Sequence, residues 1–383
     1  MLHTALLILA ALTAIGVLVT AVIFTRGALS IPNLDTQRPQ TKGPLVSVIF
    51  AARDEGPNIE QALGSMLAQS YERLEFIAVN DRSSDDTGAV LDRMAAADAR
   101  IRVVHVTDLP AGWLGKNHAL QAGAAMAKGE YLLFTDADIV FDRDAIARAV
   151  AFIEEKGIDH LTLGPELESP SPLLEMAVTY FTLGFFLLFK PWLVHDPSRP
   201  EHIGIGAFNM VRASLYHGFG GHAKIALRPD DDIKLGRLVK LNGGRQMVAG
   251  GFGLIRVKWY ASVMELVRGL RKNTFAGMRY SVGMTVGAVI MQLVINIWPF
   301  VAVFVTSGAT RWLNVVSVAI LVFLLGAVSA GSRGRVWIAI GYPIAAMIFV
   351  FILIDSTWRT LRRGGIEWRG TFYPLAALKA NDI

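Results

Sequence analysis

Phe134-Thr135-Asp136-Ala137-Asp138 sets two carboxylates two positions apart, directly after the apolar run Tyr131-Leu132-Leu133. Side chains alternate faces along a strand, so Asp136 and Asp138 can project together from its carboxyl end. In open α/β sheets ligands bind at that edge. A pair of carboxylates suits a hard divalent cation that also holds phosphate oxygens. Two further acidic clusters stand beside apolar, β-rich runs. Ala52-Arg53-Asp54-Glu55-Gly56 follows one, and Asn80-Asp81-Arg82-Ser83-Ser84-Asp85-Asp86-Thr87 follows another. Three acidic loops on one sheet edge point to a single site rather than three unrelated turns.

Other residues could join this chemistry. Lys116 opens a helical pattern after Trp113-Leu114-Gly115, where a cation and backbone N–H groups can meet a diphosphate. His118 reads as structural. Asp230-Asp231-Asp232 precedes Ile233-Lys234-Leu235. Adjacent carboxylates raise one another's proton affinity, which suits a general base working near neutral pH. Asp85 and Asp86 read as helix caps.

The elements that must position these residues follow from periodicity. Leu45–Ala52, Leu74–Val79, Ile101–Val106 and Tyr131–Thr135 read as strands. Residues 58–69, 87–97, 116–127 and 144–155 read as helices. The alternation indicates a parallel sheet of βαβ units. Residues 30–44, with Pro32, Pro39 and Pro44, read as a linker.

Composition supplies a second theme. Of the 383 residues, 53% are hydrophobic, and the mean hydropathy of +0.43 exceeds that of ordinary soluble enzymes. The excess lies at the ends. Residues 2–24, the stretch between Arg279 and Arg311, 312–332 and 336–354 are each long enough to cross a bilayer. The first lacks the basic flank of a cleaved signal peptide and reads as an anchor. Arg26, Arg38 and Lys42 after it place the central domain in the cytoplasm by the positive-inside rule. Arg359, Arg362, Arg363 and Arg369 also favour the inside, so one of the last three segments could be re-entrant or interfacial. The net charge of +5 suits anionic lipid headgroups. No nucleic-acid-binding motif accompanies it. With no cysteine, disulfides and thiolate metal sites are excluded. The uncharged core at 176–189 is too short to span. It reads as a buried or interfacial helix, with Leu183 and Phe186 on a face that helps form an acceptor entrance. The expected organisation is an anchor at 1–26, a linker at 27–43 and a catalytic domain at 44–260. A basic interfacial helix at 261–280, a membrane region of two to three spans at 281–357 and a basic tail at 358–383 complete it.

The acidic motifs, in this order and spacing, resemble family 2 glycosyltransferases of the GT-A fold. The matching residues are 48–55, 79–87, 136–138 and 230–235. Gly112-Trp113-Leu114-Gly115-Lys116-Asn117-His118-Ala119-Leu120 and the flanking apolar segments resemble the branch acting on lipids, such as ceramide, carotenoid and hopanoid glycosyltransferases. The resemblance implies a Rossmann-like, mostly parallel α/β catalytic domain between N-terminal and C-terminal transmembrane helices. It implies that Arg53 and Glu55 meet the nucleotide base and Asp81 the uracil or ribose. Lys116 would neutralise the diphosphate. Asp138, with Asp136 nearer the ribose or acting through water, would hold Mg2+ or Mn2+. Asp232 would be the catalytic base, with Asp231 at the position of its usual Glu partner. The Gln-x-x-Arg-Trp motif of many processive relatives is replaced by Arg268-Gly269-Leu270-Arg271-Lys272-Asn273. Arg271 and Lys272 can still clamp a diphosphate, but the aromatic platform for a growing polysaccharide is missing. The function so implied is inverting transfer from a nucleotide sugar, UDP-linked, to a lipid acceptor at the cytoplasmic face of the inner membrane, by a multi-pass enzyme. A polyprenyl-phosphate sugar transferase, a polysaccharide synthase and a non-enzymatic membrane scaffold are the alternatives.

Overall fold

The computed structural model describes residues 1–381, so the last two residues of the basic tail lie outside the described residues. The chain divides into two compact units. One comprises Ile31–Leu167, Pro191–Lys258 and the chain from Ala380; the other comprises Met1–Ser30, Glu168–Lys190 and Trp259–Lys379.

The first unit carries ten strands: β1 (Val46–Ala52), β2 (Leu74–Asp81), β3 (Ile101–Val106), β4 (Tyr131–Asp136), β5 (Val140–Phe141), β6 (His160–Gly164), β7 (Glu166–Leu167), β8 (Asn209–Arg212), β9 (Gln246–Gly250) and β10 (Ile255–Val257). Seven form one sheet in the order β3-β2-β1-β4-β8-β6-β9, and β5-β10-β7 form a small second one. All neighbours in the large sheet are parallel except β8, which runs antiparallel to β4 and β6. The sheet is therefore mixed but mostly parallel, as expected for this α/β class. Val46, Val48, Ile49 and Phe50 of β1 are fully buried on both faces. A continuous apolar run, rather than an alternating one, is what a strand covered by helices on both sides requires.

Helices Gly56–Leu67, Thr87–Ala97, Gly115–Met126 and Ala145–Lys156 connect the parallel strands. Pro57 opens the first of them, where its missing N–H costs nothing. Gly157 closes the last in a left-handed conformation, which frees the end of the helix to turn. The strand order reverses between β1 and β4, since β2 and β3 lie on one side of β1 and β4 on the other. That switch point opens a crevice between the loop after β1 and the end of β4.

The second unit is largely helical. Leu2–Ser30, Pro172–Leu193, Val282–Val305, Gly308–Gly331 and Val336–Arg363 are long and apolar enough to cross a membrane. The segment near 176–189 is thus longer than its uncharged core, because the helix also includes Glu175 near its start. The entrance reading of its Leu183–Phe186 face is corrected here. Leu183 is only 3% exposed, and Phe186 packs on Phe24 with ring centroids 6.2 Å apart. Leu183 is spent on packing within the unit, and Phe186 is half-buried against Phe24. One set of polar groups inside this apolar unit is paired internally. Tyr180 and Asn296 donate to Gln292 Oε1 at 2.6 and 2.7 Å, and Tyr342 donates to Asn296 Oδ1 at 2.6 Å. Without water in a bilayer core, such groups must satisfy one another.

Candidate active site

The loop after β1 turns on Asp54, held at φ 55°. Its carboxylate accepts from the Ser84 N–H at 2.7 Å and the Ser84 hydroxyl at 3.0 Å. These bonds, the backbone one first, hold the Asp54 carboxyl below its usual value. Asp85 accepts from the N–H groups of Gly56 and Thr87, both at 3.0 Å. Asp85 thus ties the starts of two helices together, the capping role its position suggested. The Glu55 N–H is bound to Thr87 Oγ1 at 2.8 Å. The net effect is a rigid pair of loops that presents Arg53, Glu55 and Asp81 at the sheet edge. Asp81 ends β2, is 3% exposed and is bound by Arg82 through two N–H donors at 2.7 and 3.1 Å.

Asp136 is the last residue of β4, and Asp138 stands in the turn that follows. The two carboxylates are close enough to repel. Burial, then Asp136, then Glu55 of the β1 loop raise the Asp138 carboxyl well above the usual carboxylate range. Two oxygen ligands in a half-buried acidic crevice suit Mg2+ or Mn2+, whose remaining positions substrate phosphates commonly fill. Among the described residues no set of three or more His, Asp or Glu side chains forms a complete metal cage. A cation bound there would supply Lewis-acid stabilisation of the leaving diphosphate.

Lys116 begins the Gly115–Met126 helix, as its position after Gly115 predicted, but its partners are carboxylates. Its Nζ lies 2.8 Å from Asp136 Oδ1 and 3.5 Å from Asp231 Oδ2. Burial alone would lower this ammonium; Asp136, Asp231 and Asp232 more than offset it and hold the lysine firmly charged. Lys116 therefore links the β4 carboxylates to those of the Asp231–Leu241 helix. An incoming diphosphate would compete with them for the same charge.

Asp231 and Asp232 form the first turn of that helix. The Asp232 carboxylate accepts from the Gly206 N–H at 2.9 Å and the Ile233 N–H at 2.8 Å. Burial first, and Asp231 second, still push its carboxyl well above the usual range. A raised carboxyl at the end of a crevice is suited to take a proton near neutral pH. Gly206 touches both motifs, since the Asp136 N–H donates to its carbonyl at 3.0 Å. A Cβ on Gly206 would stand 2.7 Å from Asp136 Oδ2, so a larger residue there would displace this carboxylate.

The structure thus brings Glu55, Lys116, Asp136, Asp138, Asp231 and Asp232 into one charged cluster, with Asp81 on the same sheet edge. Arg271 and Lys272 belong to the other unit. Arg271 donates there to Asp355 on the Tyr342–Arg363 helix, and Lys272 lies 3.8 Å from the Trp368 ring centroid. Reasoning from sequence missed the segment from Gly204 to Asn209, which braces Asp232. The paired glycines at 204 and 206 were its one visible signal, since glycine near a strand marks a close backbone approach.

Comparison with known proteins agrees with this arrangement. Residues 47–217 match the glycosyl transferase family 2 model. The 4,4'-diaponeurosporenoate glycosyltransferase of Staphylococcus aureus (strain MRSA252) is 23% identical over 339 residues, covering 86% of this chain and 88% of that protein. Glycosyltransferase GlyG of Streptococcus pneumoniae serotype 4 is 30% identical over 115 residues, 30% of this chain and 37% of that protein. Among solved structures, the mannosyltransferase PcManGT from Pyrobaculum calidifontis, in complex with GDP-Man and Mn2+, superposes with a TM-score of 0.55 at 18% identity. The match covers 93% of this chain and 99% of that one. This likeness establishes a shared GT-A-like fold.

Proposed function

We propose, from the premise that this chain is a glycosyltransferase with a family 2 catalytic domain, that it transfers a sugar with inversion from a UDP-linked donor to a membrane lipid. The observation that carries the reading is the convergence of two carboxylate motifs on Lys116, at 2.8 and 3.5 Å. One motif is suited to a cation and its diphosphate, the other to a proton. A direct displacement needs both on opposite sides of one anomeric carbon.

In this reading Arg53, Glu55 and Asp81 orient the nucleoside, and Asp138 with Asp136 holds Mg2+ or Mn2+. Lys116 offsets charge as the diphosphate departs. Asp232 accepts the proton of the acceptor hydroxyl or carboxyl, and Asp231 stands beside it in the same helical turn. The acceptor oxygen attacks the anomeric carbon from the face opposite the diphosphate. A lipid acceptor is supported by the five helices apolar enough to cross a membrane and by a relative named for glycosylating 4,4'-diaponeurosporenoate. The cations after the first span and after the last support a cytoplasmic catalytic unit.

The test is mass spectrometry of lipids from cells with and without the intact gene. A lipid species heavier by one sugar should vanish with the gene, and its mass identifies sugar and acceptor together. Identical lipid profiles would overturn the lipid acceptor.

A further inference from the structure

Behind Asp232 the core contains polar side chains that the reaction itself does not use. His160 and Thr162 of β6 share one face of the strand, and Gln246 of β9 stands directly opposite His160. His160 and Thr162 are fully buried, while Asn209 and Gln246 are 1% exposed. Burying such groups is costly unless each finds its partner. Here they do. Gln246 Nε2 donates to His160 Nδ1 at 2.6 Å. With Nδ1 so engaged, His160 is neutral with its proton on Nε2, which donates to Asn209 Oδ1. Asn209 Nδ2 in turn reaches the Asp232 carbonyl at 3.4 Å. Burial holds the His160 imidazole down at about 4 and so keeps it neutral.

The same side chains grip the segment that touches Asp232. Gln246 Oε1 accepts from the Ile203 N–H and its Nε2 donates to the Ile203 carbonyl, both at 3.0 Å. Thr162 Oγ1 accepts from the Ile205 N–H at 3.0 Å and donates to the Phe208 carbonyl at 2.8 Å. Any side chain on Gly204 would overlap the Asp232 carbonyl. The segment is thus pressed against the start of the helix, and its Gly206 N–H holds the Asp232 carboxylate.

We propose that Gln246, His160 and Asn209 form a positioning relay that sets the depth and direction of Asp232. The inference rests on the reading of Asp232 as the base. An ordinary buried network would specify packing alone. This one ends on the backbone of the reacting residue and on the loop that donates to its carboxylate. Small misplacements of a reacting group can cost large factors in rate.

Isosteric replacements of His160 separate the two roles. Glutamine can keep a donor where Nε2 stands, and asparagine can keep only an acceptor where Nδ1 stands. Each full-length variant is restored to cells lacking the gene, and glycolipid formation is followed by mass spectrometry per folded molecule, as judged by melting temperature. His160→Gln should retain near wild-type rate. His160→Asn should lose on the order of 10-fold, and Asn209→Leu, of similar size, should show the same loss if His160→Asn does not fold. Rates equal to wild type in folded His160→Asn and Asn209→Leu, with Asp232→Asn inactive, would overturn the relay and leave the proposed function standing. An active Asp232→Asn would overturn the relay together with the reading of Asp232 as the base.

Discussion

The two units treat charge in opposite ways. Around Asp138 and Asp232 carboxylates crowd together, and Lys116 is the cation drawn among them. The result is two carboxyl groups held above their usual range. In the helical unit four arginines meet three carboxylates and one lysine meets a ring. Arg271 and Arg359 share Asp355, Arg363 meets Glu367, Arg335 meets Glu175, and Lys272 lies over Trp368. A matched cluster lowers its own energy and asks for nothing further. A cluster with surplus negative charge is stabilised by an incoming cation and can accept a proton. The contrast locates the chemistry more sharply than charge count does, because the chain as a whole is basic.

The largest expected effect breaks the surplus. Asp138→Ala should abolish metal-dependent nucleotide binding while the fold persists. Calorimetry with UDP and Mn2+ checks it, and unchanged affinity would remove Asp138 from the metal site. Asp232→Asn comes next. It should lower kcat by about 100-fold or more, the usual scale of general-base catalysis, with nucleotide affinity preserved. A near-wild-type rate would instead favour an acceptor that is already anionic, such as a polyprenyl phosphate.

The matched side should respond through stability. Asp355→Asn leaves Arg271 and Arg359 facing each other without their shared carboxylate. We expect a loss of about 1–3 kcal/mol, between the values for exposed and buried pairs, and no change in UDP binding. Weakened UDP binding in Arg271→Gln, with stability unchanged, would return Arg271 to the diphosphate clamp that the sequence suggested.

A further effect is on pH. Burial holds His160 at about 4 and His222 at about 3 in the folded catalytic unit. Unfolded histidine titrates near 6.5, so below that pH the unfolded chain binds more protons and stability falls. The histidine contribution to stability is therefore full above about pH 6.5 and declines as pH drops toward 4, while the raised Asp138 and Asp232 carboxyls act in the opposite sense over that range. By pH 5 each histidine should cost about 2 kcal/mol, together roughly 10 °C in melting temperature once the offsetting carboxyls are removed in Asp138→Asn with Asp232→Asn. His3 aside, every histidine lies in the catalytic unit, so the acid-sensitive transition belongs there. An acid-insensitive melt between pH 7 and 5 in that double variant would show that these imidazoles are not buried in the neutral form.

Much of the fold was legible in the sequence. The strand expected at 101–106 and the helix expected at 87–97 match residue for residue. Other boundaries shift by a few residues, because helix ends are set by caps such as Asp85 bonding Gly56 from another loop. Asp136, Asp138, Lys116 and Asp232 were readable because each stands at a strand end or a helix start, where local pattern already dictates exposure. The Leu183–Phe186 face was misread for the complementary reason. Period tells which residues share a face, but which neighbour covers it depends on Phe24, far away in the chain.

By itself the sequence determined the alternation of strands and helices, the apolar segments and the acidic residues at the sheet edge, because hydrophobic period and charge are local properties. Only tertiary structure decided that Lys116 bridges Asp136 to Asp231, that Gly206 serves both carboxylate motifs, and that His160, Gln246 and Asn209 stand behind Asp232. Those contacts join residues dozens of positions apart. Their geometry is fixed by strand register and by backbone approaches that no local pattern encodes.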